Sequence, residues 1–121
     1  MVRLKGVFMK TIATISKEEL RDKIDRGENC QIVNVLAPEY YHLGMIRGSK
    51  KIPLAELDRR IGELDPSNEV IVYCASYQCN ASRKAAEKLA DKGFNVRAYE
   101  GGIKEWTGDA LPETEEKSGE C

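Results

Sequence analysis

The sequence has a single histidine, a single tryptophan and no apolar run approaching the ~18–20 residues that span a bilayer. No transmembrane helix is therefore expected. With His42 as the only imidazole, and Cys74 and Cys79 in a Cys-x4-Cys rather than a Cys-x2-Cys spacing, a metal centre fits poorly. Net charge is also missing: 19 basic and 20 acidic side chains are interspersed and sum to −1. Such a balance gives no support for nucleic-acid binding or for an anionic membrane surface. The N-terminus offers only Gly6-Val-Phe-Met9 as an apolar patch. A signal peptide needs an apolar stretch of roughly 7–15 residues and a cleavage site, so a cytoplasmic protein is expected.

What is present is ordinary globular material. Hydrophobic content is 41% and charged content 32% over 121 residues, enough for one domain with its own core. Four cysteines would permit two disulfides in a secreted mini-domain. A chain with a sufficient core in a reducing compartment is better read as carrying free or catalytic thiols.

The central stretch is Glu69-Val-Ile-Val-Tyr-Cys74, a β-branched apolar run of the kind buried on both faces of a parallel sheet. Ala85, Ala86, Leu89 and Ala90 then recur at helical spacing. Between them lies a polar turn with two cysteines, and Asn80 or Ser82 can cap the helix behind it. Cys74 thus stands at a strand end, facing the open N–H groups and positive dipole end of a helix. Those surroundings favour thiolate over thiol and can hold an anion.

Elsewhere strand and helix alternate. Residues 1–10 read as a flexible arm, and Thr11–Ile15 as an edge strand. Ser16-Lys-Glu-Glu19 is a capping box, with Ile15 and Leu20 as its staple. That helix runs to about Arg26 and stops at Gly27. Gln31–Leu36 is a buried strand, Pro38 opens a short helix that Gly44 ends, and Lys51-Ile52 is a brief strand. Leu54, Leu57, Ile61 and Leu64 mark one face of a further helix, stopped by Asp65-Pro66. Val96–Tyr99 is the last strand, followed by Gly101-Gly102 and a short helix with Ile103 and Trp106. The expected fold class is α/β, with a central, mostly parallel five-stranded sheet flanked by helices on both faces. The globular domain is placed at residues 11–112 and a disordered tail at 113–121.

The ordered set Ile32-Val-Asn-Val-Leu36, Pro38-Glu-Tyr-Tyr, Gly44-Met-Ile-Arg-Gly-Ser49, Ile52-Pro53, Val70-Ile-Val-Tyr-Cys74, Ser82-Arg-Lys-Ala-Ala86, Gly93-Phe, Tyr99-Glu-Gly-Gly-Ile103, Trp106 and Leu111-Pro112 resembles the rhodanese-like, single-domain sulfurtransferase family. The resemblance implies a persulfide-forming cysteine at position 74, in a loop whose amides encircle the sulfur. Three departures stand out. The family usually has Asp-Val-Arg where this chain has Asn34-Val-Leu36, and Gly-His-Ile-Pro-Gly where it has Gly44-Met-Ile-Arg-Gly48. The loop is also about two residues longer than usual and lacks its glycine, so the familiar thiosulfate-binding pattern is not reproduced.

On this reading Cys74 is the nucleophile. Ala75, Ser76, Tyr77, Gln78, Asn80, Ala81 and Ser82 form the substrate cradle, and Arg83 adds positive potential at its rim with Lys84. Cys79, five positions from Cys74, can lie within the ~4.4–6.8 Å Cα range of a disulfide. It is then a resolving thiol, a sulfur acceptor in a relay, or an inward-packed residue filling the place of the missing glycine. The partners implied are a small sulfur anion donor and a thiol acceptor, small or on a protein, with no nucleic acid, membrane, cofactor or metal. The chain is expected as a monomer or weak dimer. A dithiol–disulfide protein using Cys74 and Cys79, and a non-catalytic binding module, are the alternatives. Cysteine phosphatase chemistry needs Cys-x5-Arg to clamp a phosphate, but here Asn80 stands where that Arg belongs and Arg83 comes later.

Overall fold

The structure, a computed structural model, describes residues 12–76 and 79–107. The expected N-terminal arm and tail, and Tyr77 and Gln78 of the loop, lie outside the described residues. Elements run in the order α1 (Lys17–Asp25), β1 (Cys30–Asn34), a 3-10 turn (Pro38–Leu43), β2 (Lys50–Lys51), and a composite helix whose α-helical turn is α2 (Leu57–Arg60). Next come β3 (Glu69–Tyr73), α3 (Ala81–Asp91), β4 (Val96–Tyr99) and α4 (Gly102–Thr107). The strands form one parallel sheet in the order β2-β1-β3-β4.

Among the described residues the sheet has four strands, not the five expected. Thr11–Ile15 does not extend into a strand: among its described residues only Thr14 bridges, in parallel, to Ala98. The pairing consists of Ala98 N–H to the Ala13 carbonyl (2.9 Å) and Ile15 N–H to the Ala98 carbonyl (3.1 Å). The next residues are committed to starting α1. Ser16 Oγ accepts the Glu19 amide at 3.1 Å, as the capping box requires, and Ile15 and Leu20 are buried in one cluster as its staple. Glu19 does not close the box in return. Its carboxylate takes a two-pronged pair of bonds from Arg97 of β4, each 2.9 Å, and Arg97 holds its pKa down. α1 is thereby tied to the sheet by a bidentate pair.

Alternation along the strands divides the core into two layers. Val70, Val72 and Cys74, with Val33, Val35 and Ala98, face α2 and α3 through Leu57, Ala85, Ala86 and Leu89. Ile71 and Tyr73, with Ile32 and Tyr99, face α1 and α4 through Leu20 and Ile103. Trp106 packs edge-on against Tyr99, centroids 6.0 Å apart. Both faces of β3 are therefore covered, which is why its sequence is a continuous apolar run rather than an alternating one.

The 44–49 turn is pinned from below by Tyr73. Its hydroxyl accepts the Ile46 amide (3.0 Å) and lies 2.6 Å from Ser49 Oγ. Asn34, fully buried, accepts the Leu36 amide through Oδ1 (2.8 Å) and points Nδ2 at Met45 Sδ (3.2 Å). Leu36 itself is fully buried. Among the described residues no helix is long and apolar enough to cross a membrane.

Replacing Ser16 with Ala removes the acceptor for the Glu19 amide and should cost about 1 kcal/mol of stability. Urea unfolding measures this, and an unchanged midpoint would show that the Arg97 clamp alone fixes the start of α1.

Candidate active site

Cys74 is the first residue beyond β3, at the carboxyl end of a central parallel strand, where open α/β sheets place their sites. The chain turns there because α4 captures it. Ile103 N–H donates to the Cys74 carbonyl (3.0 Å) and Lys104 N–H to the Ala75 carbonyl (2.8 Å). In a trans peptide the C=O and the following N–H point in opposite directions. With both carbonyls drawn toward α4, the Ala75 and Ser76 amides are turned to the opposite side, where the Cys74 sulfur lies. Both lie close enough to pull its pKa down, together with the amide of Ser82 from the first turn of α3. The sulfur thus sits in a partial ring of three N–H groups.

Ser82 completes the ring. It is 1% exposed, and its hydroxyl has no well-formed partner among the described residues. That hydroxyl faces the Cys74 sulfur and pulls its pKa down. A thiol is a weak acceptor, so the hydroxyl goes unsatisfied while the sulfur is neutral. A sulfur anion would satisfy it.

The sulfur is nevertheless a thiol here, which corrects the expectation of a favoured thiolate. Cys74 is free and completely buried. Burial raises its pKa by more than the Ser82, Ala75 and Ser76 donors lower it. Its S–H donates to the Cys79 carbonyl at 3.5 Å. The amides are in place for an anion, but apolar packing withholds the charge until something polar or anionic enters.

Two further expectations change. Neither proposed residue caps α3 through its side chain: Asn80 occupies the cap position without a side-chain bond, and Ser82 lies inside the first turn, turned to the sulfur. Arg83 does not stand free at the rim, because Nη2 is 3.3 Å from Glu100 Oε2. Cys79, 5% exposed, shares the inner cluster with Cys74 and Ala81, as an inward-packed residue would. It presents its carbonyl to Cys74, and its own sulfur is held in a disulfide that does not involve Cys74, which corrects the expectation of a resolving thiol. Ala75 and Ser76 are half-buried around the sulfur, while Asn80 is exposed. His42 is exposed, and among the described residues no group of three or more His, Cys, Asp or Glu side chains converges to hold a metal.

The residues that sequence reasoning missed are those that aim the loop from α4. Gly102 is the clearest. At φ +64 it occupies left-handed space, and a Cβ there would lie 2.5 Å from the Cys74 carbonyl oxygen and 2.6 Å from the Ala75 carbonyl carbon. The Gly101-Gly102 pair directly before a helix was the available signal of such a close backbone approach.

The sequence profile of the rhodanese-like domain matches residues 16–109. The chain belongs to the rhodanese-like domain family. A crystal structure of a rhodanese-related protein from Thermoplasma volcanium superposes with a TM-score of 0.70 at 29% identity, covering 83% of this chain and 95% of that one. The thiosulfate sulfurtransferase GlpE of Pseudomonas paraeruginosa is 31% identical over 97 residues, 79% of this chain and 84% of the relative. An HTH-type transcriptional regulator of Mycobacterium tuberculosis is 33% identical over 98 residues, 81% of this chain. The chain spans about half the length of some curated relatives it matches, 43% of that regulator and 52% of another. Rhodanese-like domains therefore occur both alone and within larger proteins.

Two predictions arise from this geometry. Because burial raises the Cys74 pKa, its alkylation by iodoacetamide should rise with pH above the range of a free cysteine. The same sign holds for stability: the buried thiol's contribution is complete below the unfolded-state pKa and is lost as pH climbs through the folded one. A Cys74 alkylation profile centred below that of free cysteine would contradict both. Gly102→Ala should cost at least about 2 kcal/mol, from left-handed strain plus backbone collision, and should speed Cys74 alkylation by displacing the loop. Gly27→Ala is the control: φ is +69 but no atom lies within 4 Å of the new Cβ, so only the conformational strain applies.

Proposed function

We propose that this rhodanese-like domain is a sulfurtransferase that carries sulfane sulfur as a persulfide on Cys74 and passes it to a thiol acceptor, or to cyanide in an assay. The observation that carries this reading is the convergence of the Ala75, Ser76 and Ser82 amides and the Ser82 hydroxyl on one sulfur. Rigid donors around a developing anion stabilise it without reorganisation at the moment of reaction. A persulfide anion is the species such a ring suits: its charge is diffuse, and its outer sulfur projects beyond the carbon-bound one. Relatives named as sulfurtransferases, at about 30% identity, support the class of reaction.

In the first half-reaction the Cys74 thiolate attacks the sulfane sulfur of a donor such as thiosulfate, a polysulfide or a persulfide. A new S–S bond forms as the donor's own S–S bond breaks, and the donor's remainder leaves with the electron pair. In the second, an acceptor thiolate attacks the outer sulfur and Cys74 departs as the thiolate. Each step exchanges one S–S bond for another, so no external oxidant is consumed. Cys74 must ionise to begin. Its raised pKa makes that step the costly one, and entry of a polar donor that relieves burial lowers the cost.

Replacing Cys74 with Ser should abolish transfer and the sulfur-sized gain in intact mass after donor treatment, while leaving the unfolding midpoint within about 1 kcal/mol of wild type. Retained transfer in that variant would end the proposal. Cys79→Ser keeps the backbone carbonyl that accepts the Cys74 thiol, so transfer should persist. Loss of sulfur gain at Cys74 in that variant, followed by intact mass, would show that the Cys79 side chain is needed as well.

A further inference from the structure

Cys79 is wired to both halves of the ring around Cys74, and its own side chain is covalently tied. Its carbonyl accepts the Cys74 S–H at 3.5 Å, and its amide donates to the Ser76 carbonyl at 3.0 Å. Ser76 in turn supplies one of the amides that pull the Cys74 pKa down. On its other side Asn80 stands at the cap position of α3, whose first turn carries the Ser82 donors. Cys79 is therefore the joint between loop and helix. Its sulfur is bound in a disulfide, whereas Cys30 and Cys74 are free.

That bond fixes a residue on which the burial of Cys74 depends. Cys79 is 5% exposed and packs in one cluster with Cys74 and Ala81. Burial is the leading cause of the raised Cys74 pKa, so displacing Cys79 takes away part of the cover that keeps the thiol neutral. Without the bridge, the segment is held by single backbone bonds and one small side chain. Segments held so lightly open locally at low cost.

Building on the sulfurtransferase reading, we propose that the Cys79 disulfide is a redox latch on Cys74. Closed, it holds the loop against the sulfur and slows access; opened by a dithiol reductant, it lets a sulfur donor in. The reductant's first thiolate attacks the sulfur that partners Cys79, since Cys79 itself is nearly covered. A mixed disulfide forms, the bridge breaks, and Cys79 leaves as the thiolate. The reductant's second thiolate then attacks its own sulfur in the mixed disulfide and displaces the partner cysteine. The bridge has gained two electrons and two protons, and the reductant has become a cyclic disulfide. Cys74 takes no part in this exchange.

The test compares the protein with its bridge intact, the same protein reduced by a dithiol that is then removed anaerobically, and two variants. Intact mass scores the bridge, since reduction should add two hydrogens. Alkylation by iodoacetamide, resolved at Cys74 by peptide mass spectrometry, should be at least about tenfold faster after reduction, the scale of a covalent constraint on a loop. Cys79→Ser should match the reduced wild type. So should Cys121→Ser, which removes the remaining one of four cysteines and leaves the loop sequence untouched. Sulfur gain at Cys74 from thiosulfate or cysteine hydropersulfide should rise by a similar factor. Equal Cys74 alkylation in the bridged and reduced wild type, a comparison that needs no variant to fold, would overturn the latch. A fast Cys79→Ser beside a slow Cys121→Ser would overturn it too, by assigning the effect to the loop side chain. Faster alkylation after reduction with no sulfur gain in any form would support the latch and remove the sulfurtransferase reading.

Discussion

Two backbone hydrogen bonds, from the Ile103 and Lys104 amides to the Cys74 and Ala75 carbonyls, set the conformation on which the candidate chemistry depends. By taking the carbonyls on one side they oblige the Ala75 and Ser76 amides to face the other, where the sulfur is. The third amide and the hydroxyl come from α3, across the strand end. The ring itself lies within residues 74–82, but its aim is set from outside that stretch, by the helix after the next strand. The parallel sheet, with helices on both faces, is what brings the strand end and those two helices together.

Burial and polarity are opposed at this site, and burial prevails. Three amides and a hydroxyl would make an exposed cysteine acidic, yet Cys74 is sealed and its pKa stands above the ordinary thiol value. The unsatisfied Ser82 hydroxyl points the same way: the ring is organised for an anion that the resting state does not contain. A buried, neutral thiol of this kind is slow to react with small oxidants and water-borne electrophiles. The neighbouring substitutions have the same tendency. Where the family usually has Asp, Arg and His, this chain has Asn34, Leu36 and Met45. The structure packs Asn34 against Met45 and buries Leu36. Arg47, where the family usually has Pro, runs the other way and adds a charge at an exposed position.

Much of the fold was legible. β4 lies at Val96–Tyr99, as its alternating pattern indicates, and Ser16, Gly27 and Pro38 mark element ends through their capping and turn chemistry. The place of Cys74 at the end of a central strand was legible too, since a β-branched run ending in Cys before a polar turn and an alanine-rich helix leaves little choice of topology. The edge strand was not, because a few alternating residues cannot reveal that Ile15 and Ser16 are already engaged in starting α1. Nor was the ionisation of Cys74: a helix N-terminus argues for a lowered pKa, but desolvation reverses the sign and depends on packing from Val35, Ala81 and Cys79, distant in the chain or across the loop. Arg83 was misjudged for a similar reason. Its partner Glu100 lies 17 residues on, where sequence pattern makes no pairing visible.

The reliance of the Cys74 loop on α4 bears on how the domain comes into being. During synthesis β3 and the cysteine emerge well before Gly102, Ile103 and Lys104. Until α4 docks, nothing draws the two carbonyls aside, and the Ala75 and Ser76 amides are not yet aimed at the sulfur. A nascent or truncated chain ending before Gly102 would therefore hold a cysteine packed by Val35 and Ala81 but without its oriented amides, and the orientation of those amides would report that α4 has joined the sheet.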